Sequence, residues 1–273
     1  MKHIHSYYSP NDLYNSIISG LDHIGKELSS LTIDDLQPVD EFHIRGDTAT
    51  KELIKLSGFT PDMHIIDVGC GVGGSARRLS HETGCRVTGI DLSDEYIDAA
   101  ERLTQLLAMQ ERVQFHAASA LELPFEDNTF DGAWSIQMGM NIEDKLSWLR
   151  EIYRVIKPGG RAVMYEVCGS KNSPVHFPVP WAQNSSMSFL VPPASFRDVI
   201  NSAGFGIDVW ADKTDLAQKA FAHMKEPVGE PDLPELGVHL LVGDDILTKA
   251  YNLHRNLDEE RVSLIETVAV KPG

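Results

Sequence analysis

The sequence predicts an α/β protein built on a doubly wound parallel sheet. From about residue 51 onward, short apolar runs of strand length alternate with helical patterns, as expected of crossover units in a parallel sheet. One of these runs, Ile65–Val68, leads directly into a glycine-rich turn and then a helix. That arrangement brings backbone N–H groups close to a ligand at a helix N-terminus.

The first half of the alternation begins with a helix over about residues 47–57. The strand HIIDV, the helix GSARRLSHE and the strand CRVTGIDL follow in that order. The next helix begins after Ser93, a good N-cap residue, and carries two acids in its first turn that suit the helix dipole. Its inward face has apolar residues at helical spacing: Ile97, Ala100, Leu103 and Leu107.

The second half continues with the strand RVQFHA, a loop and the strand DGAWSIQ. A helix follows, with the apolar residues Leu146, Leu149, Tyr153 and Ile156. The segment KPGG is predicted to turn this helix into the strand RAVMYEV, and RVSLIETVAV predicts a final strand.

Three segments lie outside this alternation. Residues 1–46 predict an N-terminal helical cap, with one helix over about residues 11–28. Residues 170–193 carry prolines and aromatic residues, and residues 212–258 predict two helices separated by EPVGEPDLPELG. Because ligands of such folds bind at the C-terminal edge of the sheet, we expect the last two segments to be lid insertions in a main domain spanning 47–273.

The charge balance argues against nucleic acid as a partner. The 273 residues carry 24 basic and 40 acidic side chains, a formal net charge of −16, and such a field repels phosphate backbones.

No apolar run reaches the roughly 18 residues of a membrane span, and the N-terminal MKHIHSYYSPNDLY lacks the apolar core of a secretory signal. The three cysteines are an odd number without metal-type spacing, so we expect a reduced, cytoplasmic setting.

The glycine-rich turn IIDVGCGVGGS contains G-x-G-x-x-G at Gly69, Gly71 and Gly74. That pattern alone fits NAD, FAD or another adenosine ligand. Asp67 discriminates between them, because at about 4 Å a carboxylate would repel each charge of a pyrophosphate by roughly 1–4 kcal/mol. The same carboxylate favours a ligand with an ammonium group, a sulfonium group and no phosphate. We therefore expect S-adenosylmethionine (SAM).

Asp91 ends the next strand, 22 positions after Gly69. An acidic side chain at this place can accept hydrogen bonds from both ribose hydroxyls, whether the ligand is NAD or SAM. The alternative is an acid that stabilises the start of the following helix. Because Ser93 already provides the N-cap, we expect ribose binding.

Four segments follow one another in order: IIDVGCGVGGSARRLS, VTGIDLSDEYIDAA, LELPFEDNTFDGAWSI and EIYRVIKPGGRAVMYE. In order and spacing they resemble the successive motifs of class I SAM-dependent methyltransferases, over about residues 65–166. The chain is most similar to the branch that contains ubiquinone/menaquinone C-methyltransferases and sarcosine/dimethylglycine N-methyltransferases. The resemblance implies a Rossmann-like, doubly wound sheet of seven strands with an antiparallel last strand.

The resemblance also implies roles for individual residues. Asp67 would face the methionine amino group, Asp91 would bind the ribose and Leu92 would pack on the adenine. Ser119 stands where related sequences often have an aspartate, so it either accepts a hydrogen bond from the adenine or is a loop residue. The expected cofactor-binding residues are Arg45, Gly46, Asp67, Gly69, Cys70, Gly71, Asp91, Leu92, Ser119, Ala120, Ser135 and Gln137.

The segment FHIRG, just before the first core helix, offers two further candidates. Arg45 could clamp the carboxylate of the cofactor with two hydrogen bonds, or be a surface arginine. His43 is a candidate general base, with a structural histidine as the alternative. Tyr8, next to Tyr7, is a second catalytic candidate, or it packs against the N-terminal helix.

Aromatic residues in PVPWAQNSSMSFL are not spaced as on a helix. They could surround a cationic amine or a flat apolar acceptor, or anchor the loop. A carboxylate on the acceptor would need a cationic partner. Within residues 170–193 only Lys171 offers one, so a less polar acceptor is favoured. The 11 histidines show no ligand spacing, so no metal is expected. The candidate acceptor pocket consists of Phe42, Gln137, Met138, Phe177, Trp181 and Phe189.

The expected activity is transfer of the SAM methyl group to N, O or C of a small molecule, with release of S-adenosylhomocysteine (SAH). Displacement at a sulfonium needs mainly alignment and exclusion of water, and a base only where the acceptor loses a proton. Two alternatives remain, an NAD(P)-dependent oxidoreductase and a catalytically silent interaction module. Nucleic-acid binding and a membrane span are not expected, and a homo-oligomer is left open.

Overall fold

The computed structural model describes residues 12–170, 173–229 and 232–273. The strands are His64–Val68 (β1), Arg86–Asp91 (β2), Val113–Ala117 (β3), Phe130–Ile136 (β4), Ile156–Gly169 (β5), Gly206–Asp212 (β6) and Val262–Val270 (β7). They form one sheet in the order β3-β2-β1-β4-β5-β7-β6, and β7 is antiparallel to both β5 and β6. The predicted seven-stranded, doubly wound sheet with an antiparallel last strand is confirmed.

The helices follow the predicted alternation closely. Ser93 caps its helix as expected, since its Oγ accepts a hydrogen bond from the Tyr96 N–H at 3.2 Å. The expected N-terminal helix is shorter than predicted and ends at His23. The α-helices are Leu13–His23 (α1), Gln37–Asp40 (α2), Gly46–Ser57 (α3), Gly74–Thr83 (α4), Asp94–Leu106 (α5), Lys145–Val155 (α6), Pro193–Ser202 (α7), Thr214–Phe221 (α8), His239–Val242 (α9) and Ile246–Asp258 (α10).

The contacts divide the chain into two compact units. The first consists of residues 1–120 and 232–244, and the second of residues 121–231 and 245–273. The predicted boundary between residues 46 and 47 is not one of these divisions, and it stays a prediction. Among the described residues, no helix has both the length and the apolar character that a bilayer crossing requires.

In the first unit, β1 and β3 pair in parallel with β2. A parallel strand covered on both faces is expected to be almost continuously apolar. Accordingly, Ile65, Ile66 and Val68 of β1 are fully buried. Asp67 interrupts this apolar run and is also buried, so its carboxyl group needs partners inside the protein.

In the second unit, β4 pairs in parallel with β5, and β5 pairs with β7 over nine residues. The segment KPGG was predicted to be a turn, and this prediction is wrong, because the four residues lie within β5. The register shifts between Phe130 and Gly132 of the neighbouring strand, and Gly159 has a φ of 80°. The Gly159 N–H donates to the Lys271 carbonyl at 2.8 Å, so pairing with the chain end keeps the segment in the strand.

Candidate functional site

The chain leaves β1 through a turn that contains Gly69, Gly71 and Gly73. Their φ angles are 82°, 55° and 83°, in the left-handed region that glycine adopts without strain. The N–H groups of Gly69 and Cys70 both donate to the Ile90 carbonyl at 2.9 Å, which ties the turn to the end of β2. A Cβ atom on Gly71 would meet nothing within 4 Å, so this part of the turn leaves room for a ligand against the backbone.

Two carboxylates lie at this turn. Asp67 is 1% exposed, and its Oδ2 accepts a hydrogen bond from Ser75 Oγ at 3.0 Å. Asp91 accepts from the Gly71 N–H and from the Ser93 N–H, both at 3.0 Å. Asp91 therefore holds the glycine turn and also supports the start of α5, the alternative role that the sequence suggested.

The surroundings of Asp67 favour a cation. Burial raises its pKa to about 7, the hydrogen bond from Ser75 opposes this rise, and the charge of Asp91 adds to it. Near neutral pH the carboxyl group is therefore about half protonated, and a neighbouring positive charge would favour its ionised form. A ligand ammonium group meets that condition, whereas a diphosphate would be repelled.

Three further cofactor candidates follow Asp91 along the chain. Leu92, next to Asp91, is 37% exposed. Ser119 and Ala120 are half-buried just beyond the end of β3. The turn itself combines two carboxylates with space at Gly71. The individual contacts of these residues with the cofactor stay predictions.

Cys70 points into the protein. Its side chain is buried, and a Cβ atom on Gly89 would lie 2.9 Å from its Sγ. Burial raises the pKa of the Cys70 thiol well above its usual value. A small side chain fits at this position because Gly89 faces it, and a contact of Cys70 with the cofactor remains a prediction.

His43 is buried in a hydrogen-bond network. Its Nε2 lies 3.0 Å from the Gly46 carbonyl oxygen, 3.1 Å from Thr50 Oγ1 and 3.5 Å from Glu41 Oε2. Because a carbonyl only accepts, the contact with Gly46 requires a proton on Nε2. Burial lowers the pKa of His43 to about 4, so the ring is neutral near pH 7. This environment is typical of a structural histidine, and the role as a general base remains a prediction.

Arg45 precedes α3 with a φ of 71°, a left-handed conformation that residues other than glycine seldom adopt. Its side chain is 8% exposed, and Nη2 donates to Glu52 Oε1 at 2.7 Å. Arg45 is therefore not the surface arginine that was the alternative. Its contact with the carboxylate of the cofactor stays a prediction, as does that of Gly46.

Two adjacent arginines of α4 bind the N-terminal segment, and neither was a candidate from the sequence. Arg77 is fully buried, and its Nη2 donates to Asp40 Oδ1 at 2.6 Å. Arg78 Nη2 donates to Asp34 Oδ1, also at 2.6 Å. The signal in the sequence was an acid-rich stretch, TIDDLQPVDEF, upstream of an Arg-Arg pair. Both ion pairs join this stretch to the helix that follows the glycine turn.

In the second unit, a buried carboxyl group organises the loop after β4. Glu166 on β5 is 2% exposed and accepts hydrogen bonds from the Gly139 N–H at 2.9 Å, the Met138 N–H at 3.4 Å and Ser135 Oγ at 3.5 Å. Burial raises the pKa of Glu166 to about 8, against the effect of these donors. An acid within the otherwise apolar RAVMYEVCG was the signal that could have identified it.

Gln137 begins this loop in a strained conformation. Its φ is 47°, and its N–H donates to the Tyr165 carbonyl at 2.7 Å. Residues held in this region of φ cluster at ligand sites, where the surrounding structure stabilises them. The structure thus places Ser135 and Met138 against Glu166, with Gln137 between them along the chain, and the contacts of all three with a ligand stay predictions.

The remaining acceptor-pocket candidates differ in exposure. Trp181 is 2% exposed, and its carbonyl accepts a hydrogen bond from Asn141 Nδ2 at 2.9 Å. Phe177 and Phe189 are half-buried in the second unit, and Phe42 is half-buried in the first. The burial of Trp181 is that of a loop anchor, the alternative considered above. Contact of any of the four with an acceptor remains a prediction.

Tyr8 and its neighbour Tyr7 lie outside the described residues. In the described part of the chain, no group of three or more His, Cys, Asp or Glu side chains is arranged to hold a metal ion. Cys70, Cys85 and Cys168 are buried free thiols.

Comparison with known proteins agrees with this geometry. A family model described as a methyltransferase domain matches residues 66–164, which include the glycine turn, Asp91 and the loop after β4. The chain is 28% identical over 214 residues to the O-methyltransferase resE of Aspergillus sclerotiorum, covering 77% of each protein. It is 25% identical over 249 residues to an O-methyltransferase of Pyrenophora dematioidea, covering 91% of this chain and 89% of the relative.

A solved structure has the same fold. Geranyl diphosphate C-methyltransferase from Streptomyces coelicolor A3(2), in complex with Mg²⁺, geranyl-S-thiolodiphosphate and SAH, matches with a TM-score of 0.70 at 16% identity, covering 99% of this chain and 97% of that chain. Neither the oxidoreductase nor the silent interaction module receives support. The methyltransferase domain and the fold lead to one conclusion: the chain is a SAM-dependent methyltransferase with the class I fold.

Proposed function

We propose that this methyltransferase modifies an oxygen atom of a small, mainly apolar acceptor. The observation that carries the cofactor assignment is the pair of carboxylates, Asp67 and Asp91, beside a glycine turn with room for a ligand. The choice of oxygen rests on the two relatives described above, which are both named O-methyltransferases. The apolar character of the acceptor rests on Phe177 and Phe189, two half-buried aromatic residues of the predicted acceptor pocket.

In the proposed complex, the residues at the glycine turn bind the cofactor. Asp67 binds the ammonium group, Asp91 the ribose hydroxyls and Leu92 the face of the adenine. The remaining proposed contacts are Arg45 and Gly46 toward the methionine carboxylate, Gly69, Cys70 and Gly71 through the backbone, and Ser119 and Ala120 toward the adenine edge.

Two further cofactor contacts and the acceptor contacts complete the proposed assignment. Ser135 and Gln137 are proposed cofactor contacts, and Gln137 also belongs to the acceptor set. The proposed acceptor contacts are Phe42, Gln137, Met138, Phe177, Trp181 and Phe189. Aromatic side chains suit a flat apolar acceptor because they offer a large contact area.

Bound SAM supplies an electrophilic methyl carbon for an in-line displacement. The side chains therefore have to orient the acceptor and exclude water, and orientation alone can provide about 7–11 kcal/mol in favourable cases. A hydroxyl acceptor loses its proton on methylation, so a base near it would raise the rate. His43 and Tyr8 are the candidates. Neutral His43 has the required protonation state, although its pKa of about 4 makes it a weak base.

The wider organisation is also part of the proposal. A cap over residues 1–46 precedes a main domain over 47–273, with lid insertions at 170–193 and 212–258. The three buried free thiols favour a reducing, cytoplasmic location. The high negative charge favours small molecules over nucleic acid as partners. Assembly into a homo-oligomer is compatible with the proposal.

Two measurements test the proposal. Isothermal titration of the full chain with SAM, SAH and NADH should show binding of the first two and none of the third. Incubation with methyl-labelled SAM and a panel of alkyl-substituted phenols, amines and carbon acids, followed by mass spectrometry, should place the label in a methyl ether. Binding of NADH alone would contradict the cofactor, and label confined to nitrogen or carbon would contradict the acceptor atom.

A further inference from the structure

We infer that Lys145 is a positioning residue for acceptor binding. Its ammonium group joins the lid strap, defined here as residues 181–189, to the strand-four loop, defined as residues 137–142. This inference rests on the proposed function, in which both segments contact the acceptor. It adds a residue that sets their relative position.

Lys145 is the first residue of α6 and is 7% exposed. Its Nζ donates to the carbonyl oxygens of Ile142 at 2.7 Å, Gly139 at 3.2 Å and Phe189 at 2.5 Å. An ammonium group has three N–H donors, so these contacts use all of them. Two acceptors belong to the strand-four loop and the third to the lid strap.

Helix stability does not explain why a lysine occupies the first position of α6. A cation in the first turn opposes the helix dipole. Burial disfavours the charge as well and lowers the pKa of Lys145. The three carbonyl acceptors offset these costs, and the carbonyl of Phe189 is available only when the lid strap lies against the strand-four loop.

Further hydrogen bonds join the same two segments. Asn141 Nδ2 donates to the carbonyls of Trp181 at 2.9 Å and Met187 at 3.1 Å. The Phe189 N–H donates to the Met140 carbonyl at 2.8 Å. These three hydrogen bonds connect the lid strap to the strand-four loop directly, and Lys145 adds a fourth connection because it binds Phe189 and the loop at the same time.

The strand-four loop is itself fixed from the other side. The Gly139 N–H donates to Glu166 and its carbonyl accepts from Lys145, so the residue lies between a buried acid and a buried cation. A Cβ atom on Gly139 would lie 2.9 Å from the Trp148 ring, so the backbone approaches too closely for a larger residue. Gln137 and Met138, the candidate ligand contacts, are thereby held in a fixed relation to Phe189.

Lys271 provides a matched control. It is 8% exposed, and its Nζ donates to Asn128 Oδ1 and to the carbonyls of Tyr153 and Ile156, each at 2.8 Å. Its coordination by three oxygen atoms therefore resembles that of Lys145. None of its three acceptors belongs to the lid strap or the strand-four loop. Loss of Lys271 should thus reproduce the cost in stability without the effect on the acceptor.

The experiment compares Lys145→Met with Lys271→Met in the full chain. Both variants should have a lower melting temperature. Only Lys145→Met should increase the KM for the phenol of the panel with the highest turnover, and its kcat/KM should fall about a hundredfold, the scale of a misplacement near 1 Å. The Kd for SAM should change much less than the acceptor KM, because Gln137 is the one proposed cofactor contact within the two segments.

Two further measurements apply if Lys145→Met folds poorly. Asn141→Ala removes two of the four connecting hydrogen bonds and should also raise the acceptor KM. In Lys145→Ala, added propylammonium should restore activity, whereas tetramethylammonium at the same ionic strength, which has no N–H donor, should not. Equal changes in KM for the Lys145 and Lys271 variants would overturn the inference.

Hydrogen–deuterium exchange separates this inference from the proposed function, because it requires no acceptor. Residues 181–189 should exchange faster in Lys145→Met than in the wild type or in Lys271→Met. Unchanged exchange in this segment would overturn the role of Lys145. Failure of the wild-type protein to bind SAM would instead contradict the proposed function.

Discussion

At the scale of a single residue, if Asp67 binds the ammonium group of SAM as proposed, its titration should couple proton binding to cofactor binding. Its pKa of about 7 means that the ionised fraction rises roughly tenfold between about pH 5.7 and pH 7. An ammonium ligand prefers the ionised form, and an α-amino group stays protonated over most of this interval. We therefore expect the Kd for SAM to fall about tenfold over the same interval, as measured by isothermal titration at each pH.

The variant Asp67→Asn keeps the shape of the side chain and removes its charge. It should bind SAM about tenfold more weakly at pH 7 and lose the pH-dependent step, because one charge-assisted hydrogen bond is gone. Asp62→Asn replaces an exposed acid just before β1 and should leave both properties unchanged. A pH-dependent step of wild-type size in Asp67→Asn would show that another group controls binding.

Some of the site residues could be predicted from the sequence and others could not. Asp67, Gly71 and Asp91 stand at strand ends that follow from local patterns, so their proximity was predictable. Glu166 and Lys145 form hydrogen bonds with backbone groups in segments distant along the chain. No local sequence pattern specifies these partners. His43 was a candidate in the sequence because of its chemistry, whereas its hydrogen bond to Gly46 is visible only in the folded chain.

At the scale of the elements, α4 meets the N-terminal segment at Gly74. A Cβ atom on this glycine would lie 2.3 Å from the Asp40 carbonyl oxygen, so one of the two backbones would have to move. We expect Gly74→Ala to lower the free energy of unfolding by about 1–3 kcal/mol, the range for an overpacked site. Urea unfolding followed by circular dichroism would measure it, and SAM binding should weaken as well.

Gly206→Ala is the control for this substitution. A Cβ atom there would meet no atom nearer than 3.9 Å, so the added methyl group has space. The two variants should therefore differ clearly in stability. Equal losses would mean that the close approach at Gly74 has no energetic consequence.

The order of the elements was predictable because alternating strands and helices leave local periodic patterns. The extent of β5 was not, because the inclusion of KPGG depends on pairing of Gly159 with Lys271 at the far end of the chain. The ion pair between Arg77 and Asp40 joins positions 37 residues apart. An arginine in a helix gives no local sign of such a partner.

At the scale of the whole molecule, buried carboxyl groups make stability depend on pH. Burial raises the pKa of Glu166 to about 8 and those of Asp67 and Glu41 to about 7. The folded protein holds these protons more tightly than the unfolded chain, whose carboxyl pKa values are near about 4. The resulting stability is complete below about pH 4 and is lost as the pH rises through about 7 to 8. The cofactor-free protein should thus become less stable from about pH 5 to pH 8.

The variant Glu166→Gln tests this dependence. A neutral amide does not titrate, so the free energy of unfolding should fall less over that interval than in the wild type. Urea unfolding at several pH values would measure the two slopes. Glu101→Gln, at an exposed site on α5, should keep the wild-type slope. An unchanged slope in Glu166→Gln would rule out Glu166 as a source of the pH dependence.

The buried pair of Arg77 and Asp40 restricts how this enzyme can be dissected or recombined. A chain shortened to begin at residue 47 would leave the guanidinium group of Arg77 buried without the carboxylate of Asp40. Removing one partner of such a buried pair lowers the free energy of unfolding by about 3–5 kcal/mol. Chimaeras that import another enzyme's N-terminal segment would therefore have to transplant both ends of this pair together.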